Sequence, residues 1–133
     1  MQFSVECRNA RLDAIETVLG ASPVLKLFTG AAPANCAAAD SGTVLASPTL
    51  PADAMAAAAS GAKAKSGTWE DTSADANGVA GHFRIYKSDG VTCVIQGTVS
   101  GTGGGGDMEL DNTTLAAGQT FTVNTFSVTD GNA

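Results

Sequence analysis

Few residues in this chain have the types and spacing that chemistry requires, and they fall in three places. The first is GTGGGGDMELDN, residues 101–112, where Gly101, Gly103 and Gly106 spell G-x-G-x-x-G and Asp107, Glu109 and Asp111 follow. A phosphate cradle of this form needs a strand before it and a helix behind it, whose N-terminus takes the anion. Asp-Met-Glu-Leu carries no helical stripe, and an acid directly after the glycines repels a phosphate. A calcium-binding nonapeptide places its acid two positions beyond the last glycine and works in stacked copies. Here Asp107 follows Gly106 at once, in a single copy. The expectation is a glycine loop between strands, with calcium on Asp107, Glu109 and Asp111 as the alternative.

The second place is His82, the only histidine. A general base needs a nucleophile and an orienting acid beside it, and no serine stands in a G-x-S-x-G turn. The third is WEDTSAD, residues 69–75, where Glu70, Asp71 and Asp75 crowd beside Trp69. Paired carboxylates next to a Trp could serve a glycan or a cation. A solvated acidic turn with Trp69 as a core or interface anchor is the expected reading. No catalytic, cofactor or metal site is predicted.

Composition narrows the classes further. The 133 residues are 15% charged and 5% aromatic, with a net charge of −6. Seven scattered Lys and Arg supply no basic stripe for phosphate neutralisation, which argues against direct nucleic-acid binding. No run of about 18 apolar residues is present, so no membrane span is expected. MQFSVECRNARLDAIE is interrupted by charge where a signal peptide keeps its apolar run. Cys7, Cys36 and Cys93 are odd in number and widely spaced, as for buried thiols in a reducing cytosol. The alternative is a covalent link between subunits through an unpaired one.

The elements that must position these residues are mostly strands. Leu12, Ile15 and Leu19 recur on one face of an amphipathic helix that Gly20 and Pro23 stop. VLKLF (24–28) reads as a strand, residues 31–42 as a loop, and TVLASPTL as a strand that Pro48 confines to an edge. The alanines of 52–59 predict a short helical turn, followed by a strand over 64–69. GHFRIYKSDGVTCVIQGTV predicts a hairpin on a three-residue Ser88-Asp89-Gly90 loop. Pairing Lys87 with Val91 sets Phe83 opposite Ile95 and Ile85 opposite Cys93. His82, Arg84 and Tyr86 then fall on the other, polar face. In TFTVNTFSVT the apolar set changes face near Thr125, as at a bulge. Short strands at about ten-residue spacing give the fold class: mainly β, a small antiparallel β-sandwich or barrel, jelly-roll-like, with one N-terminal amphipathic helix. A single domain over 1–133 is expected, with an N-terminal arm and helix over 1–22 and the β-domain over 23–133.

RNARLDAIETVLGASPVLKLFTGAAPANCAAADSGTVLA, AKAKSGTWEDTSADANGVAGHFRIYKSDGVTC and GTVSGTGGGGDMELDNTTLAAGQTFTVNTFSVTDGNA together resemble small virion structural proteins of tailed bacteriophages and prophages. The resemblance covers nearly the whole chain as a style and brings no reactive motif with it. It implies a non-enzymatic virion component, assembled in the host cytoplasm, of the capsid cement or decoration kind. Neck, tail or baseplate proteins are the alternative, and a host-glycan-binding module a third. The implied partners are the major capsid protein or other virion proteins and further copies of the chain, as a trimer. Phe3, Leu12, Ile15, Leu19, Pro48 and Trp69 are the candidate interface residues.

Overall fold

A computed structural model describes residues 1–131. Ser4 starts α1 (Val5–Leu19), its hydroxyl accepting from the Cys7 N–H at 3.2 Å, and Gly20 ends it with φ at 73°. Leu12 and Leu19 are buried and Ile15 packs against the core, so the predicted stripe is satisfied within the chain.

The strands are β1 (Val24–Thr29), β2 (Val44–Ala46), β3 (Ala62–Ala64), β4 (Trp69–Asp71), β5 (Gly78–Tyr86), β6 (Cys93–Gly101), β7 (Met108–Leu110), β8 (Thr114–Leu115), β9 (Phe121–Val123) and β10 (Ser127–Thr129). The main sheet runs β2-β1-β5-β6-β7, with β8 on the end of β5; β3 pairs with β10 and β4 with β9. The fold is mainly β and sandwich-like, with one N-terminal helix, as the sequence predicts. Leu25, Leu27, Phe83 and Ile85 form one core together with Met55, Trp69, Phe121, Val123 and Phe126 from the smaller strand pairs. Phe126 ties the layers, edge-on to Phe83 at 5.5 Å and tilted against Trp69 at 5.4 Å.

The structure corrects three local expectations. Residues 52–59 are not helical. Ala59 and Ala62 exchange both backbone hydrogen bonds around Ser60 (φ 53°) and Gly61 (φ 76°), a two-residue hairpin turn with both central residues left-handed. The strand expected over 64–69 divides into β3 and β4, which take different partners. The β5–β6 register differs by two from the expected one, with Phe83 opposite Gly97 and Ile85 opposite Ile95. The Lys87 N–H donates to the Thr92 carbonyl, so the loop spans 88–91, and a bulge follows between Ile85 and Tyr86. A shift of two keeps Phe83, Ile85 and Ile95 on one face and His82, Arg84 and Gln96 on the other, while the bulge carries Cys93 from the expected Ile85 row to the Tyr86 row. Near Thr125 the chain does change partner: β9 lies on β4 and β10 on β3.

The second face of the main sheet is not solvated, as the polar-face expectation implied. His82, Arg84 and Tyr86 are 0–1% exposed, because β5 is central and residues 30–42 close over it. Three rows cross the strands there: Val24–Tyr86–Cys93, Lys26–Arg84–Gln96 and Phe28–His82–Thr98.

Candidate functional site

The glycine run bends the chain so that β7 lies parallel to β6, Val99 opposite Met108, across a very short connection. Adjacent parallel strands ordinarily need a crossover of a dozen residues or more. Gly103 and Gly105, at φ 80° and 79°, allow the abrupt return. Their N–H groups donate to the two oxygens of the Glu109 carboxylate, each at 3.1 Å. The loop thus makes an anion-binding concavity filled by the chain's own acid. Asp107 instead accepts from the Thr98 N–H and hydroxyl at 2.8 and 2.9 Å, and Asp111 from Asn124 at 2.6 Å. The three acids serve separate sets of donors. Among the described residues no group of three His, Cys, Asp or Glu is arranged to hold a metal.

His82 stacks on Phe28 at 4.9 Å, and its Nδ1 donates to the Gly30 carbonyl at 2.9 Å. It is a structural residue under the 30–42 loop rather than a surface one. Arg84 pins that loop. Its guanidinium pairs with Asp40 and donates to the carbonyls of Asn35, Cys36 and Ala38 at 3.0–3.1 Å. Tyr86 donates to the same Asp40 carboxylate. Burial would raise the Asp40 carboxyl, but the Tyr86 and Arg84 hydrogen bonds outweigh it and hold it below the ordinary value. Burial first, then Asp40, pushes the Tyr86 phenol upward.

WEDTSAD runs from β4 into a turn, with Glu70 exposed and Asp71 and Asp75 bonded within the chain. Asp71 accepts from the Ser47 and Ser73 N–H groups, and Asp75 from the Ser47 hydroxyl. Trp69 is 1% exposed and donates its Nε1 proton to the Ala54 carbonyl, so it offers no platform to a sugar.

One charged cluster has no counterpart in the sequence reading. Lys63 is fully buried, with Nζ 2.8 Å from Asp13, Glu16 and the Ala56 carbonyl. Burial would lower its ammonium, yet the two acids more than offset this and raise it. Asp53 lies against Glu16, whose hydrogen bond and negative charge raise the Asp53 carboxyl. The sequence signal was Asp13 and Glu16, three apart on the helix face beside the apolar stripe.

Of the six interface candidates only Phe3 is exposed, at 41%, with the Arg11 guanidinium over its ring. Ile15 is half-buried; Leu12, Leu19, Pro48 and Trp69 are buried within the chain. They face its own core because α1 docks on β3. Pro48 does follow an edge strand, its carbonyl accepting from Leu25.

A different surface is open. Over Cys93–Thr98, β6 pairs with β5 alone, since β7 joins only from Val99, and β10 pairs with β3 alone. Between them lies a depression of about 280 Å³, lined by Ile95, Gln96, Asp107 and Phe126–Thr129. The chain from Val91 to Gly106 contains no Asp, Glu, Lys or Arg. The strand itself lacks the charges by which edges ordinarily discourage pairing, and the charge at this edge is Asp107, whose carboxylate covers the Thr98 N–H.

Compared with known proteins, the chain matches no family model, no curated protein and no solved structure.

Proposed function

We propose that this protein is a non-enzymatic structural component of a tailed-phage virion, a capsid cement or decoration protein that stabilises the lattice of the major capsid protein. The observation that carries the assembly reading is the edge of β6 over Cys93–Gly97, unpaired among the described residues and facing β10, with the Asp107 carboxylate closing it at Thr98. Along these residues, which carry no charge of their own, another copy or a partner can add a strand. The candidate reactive groups support the same reading, because they bond inward: Glu109 to the glycine loop, Asp71 and Asp75 to their turn, His82 to Gly30. The virion assignment itself rests on the sequence resemblance. Symmetric homo-oligomers are the usual form of such components, and a trimer fits that style.

The test is copy number in purified virions relative to the major capsid protein, by quantitative mass spectrometry. A simple stoichiometric fraction is expected of capsid cement. A ratio of a few per cent would move the protein to the neck, tail or baseplate, and absence from virions would refute the reading.

A further inference from the structure

The odd cysteine count resolves in space. Cys7 is exposed on the first turn of α1, whereas Cys36 and Cys93 come together on the second face of the main sheet. Tyr86 fixes one of them, because Cys93 is its cross-strand partner in the row next to Lys26–Arg84–Gln96. Arg84 fixes the other, with Nη2 3.0 Å from the Cys36 carbonyl. Gln96 Nε2 donates to the Pro33 carbonyl at 2.7 Å, so the loop from Pro33 to Cys36 crosses β6 beside Cys93. The Cys93 thiol lies 3.5 Å from the Ile95 carbonyl and feels the Cys36 thiol next to it; both residues are half-buried.

We propose that Cys36 and Cys93 are a redox-active dithiol, which a low-molecular-weight disulfide such as oxidised glutathione converts into an intramolecular disulfide stapling the 30–42 loop to β6. The loop thiol Cys36, as thiolate, attacks one sulfur of the reagent and expels one glutathione thiolate, which takes up the proton Cys36 lost. Cys93, once deprotonated, attacks the Cys36 sulfur of the mixed disulfide and releases the second glutathione. Two protein thiols and one small disulfide become one protein disulfide and two small thiols, and two electrons pass to the reagent.

The groups facing the pair are Arg84 and Tyr86 from β5, Lys26 from β1 and Asp40 from the loop. Burial, and then the hydrogen bond to Cys36, pushes the Cys93 thiol up to about 11, against a smaller opposing pull from Arg84. Ring closure needs the Cys93 thiolate, so it quickens as pH rises. The disulfide would tie to β6 a loop that Arg84 and Asp40 already hold to β5.

The test uses the whole protein, incubated with oxidised glutathione, then unfolded and alkylated, with intact mass and peptide mapping. Three alkyl groups before oxidation, and afterwards a Cys36–Cys93 linked peptide with neither of those thiols alkylated, Cys7 carrying an alkyl group or a glutathione, is the expected result. Cys93→Ser should stop at a stable glutathione adduct on Cys36, and Cys7→Ser should still close the disulfide. The proposal is overturned if three alkylatable thiols persist, if the linkage involves Cys7, or if stable glutathione adducts accumulate on the wild-type pair.

Discussion

Replacing Arg84 by Met keeps the aliphatic stem among its neighbours and removes the guanidinium that holds the 30–42 loop. Four acceptors lose their donor: the Asp40 carboxylate and the carbonyls of Asn35, Cys36 and Ala38. Hydrogen bonds to a charged group contribute roughly 1.5–3 kcal/mol each, so a plain sum gives about 6–12 kcal/mol. That sum is too large for this site. The Asp40 side chain is 39% exposed and the carbonyls belong to a surface loop, so water replaces the lost donor when the loop lifts. The loss cannot exceed the free energy of that lifting plus the exposure of His82, Tyr86 and Phe28 beneath. Leaving a charge buried without its partner typically costs about 3–5 kcal/mol; Asp40 is partly exposed, so we expect a smaller loss of about 2–3 kcal/mol here. At about 4 °C per kcal/mol for a domain of this size, the midpoint should fall by about 8–12 °C. Urea unfolding measures the global loss. Hydrogen exchange at Ala37 and Ala38, whose N–H groups donate to Asn35 Oδ1, reports the loop alone and should accelerate strongly. Arg84→Lys keeps the charge but not the fork, and should recover less than half of the loss. A Met variant within about 1 kcal/mol of wild type, with unchanged exchange at both alanines, would refute the assignment of Arg84 as the loop's anchor.

Two further substitutions test other parts of the fold. Asp53 is raised from 3.8 by Glu16, and a carboxyl raised in the folded state costs stability as pH climbs from its unfolded value through its folded one. Asp53→Asn should therefore raise the urea midpoint at pH 7 and change it little at pH 3. Glu109→Ala removes the acceptor shared by Gly103 and Gly105. Those two amides should exchange faster, and stability should fall by about 1–3 kcal/mol, read by urea unfolding.

The legible parts of the sequence were those set by short-range rules. Ser4 and Gly20 bracket α1, the period-2 runs around Gly90 become β5 and β6, and the change of face near Thr125 separates β9 from β10. What was missed depends on distant partners. Alanine at 52–59 favours a helix locally, but hydrogen bonds from Ala56 to Ala64 and across Ser60-Gly61 commit it to a hairpin. The Ser-Gly pair was the available signal. His82, Arg84 and Tyr86 read as a solvated face because the loop that buries them is held by its backbone carbonyls, which no residue type announces. The acid that fills the glycine loop was visible only as Glu109, three residues after Gly106, and nothing local distinguished it from Asp107 or Asp111. The interface candidates were chosen for apolarity, which served the core instead.

The pairing of β10 with β3, and of Asp130 with Arg8 and Arg11, bears on how the chain is made. On a translating ribosome α1 and the β5–β6 hairpin can form early, because their contacts are local. The second layer cannot close until Phe126 and Thr129 have cleared the exit tunnel, so Trp69 and Met55 wait without their cover until then. A nascent chain stalled before residue 121 would expose that apolar surface to chaperones, and one released past residue 130 would bury it in a single late step.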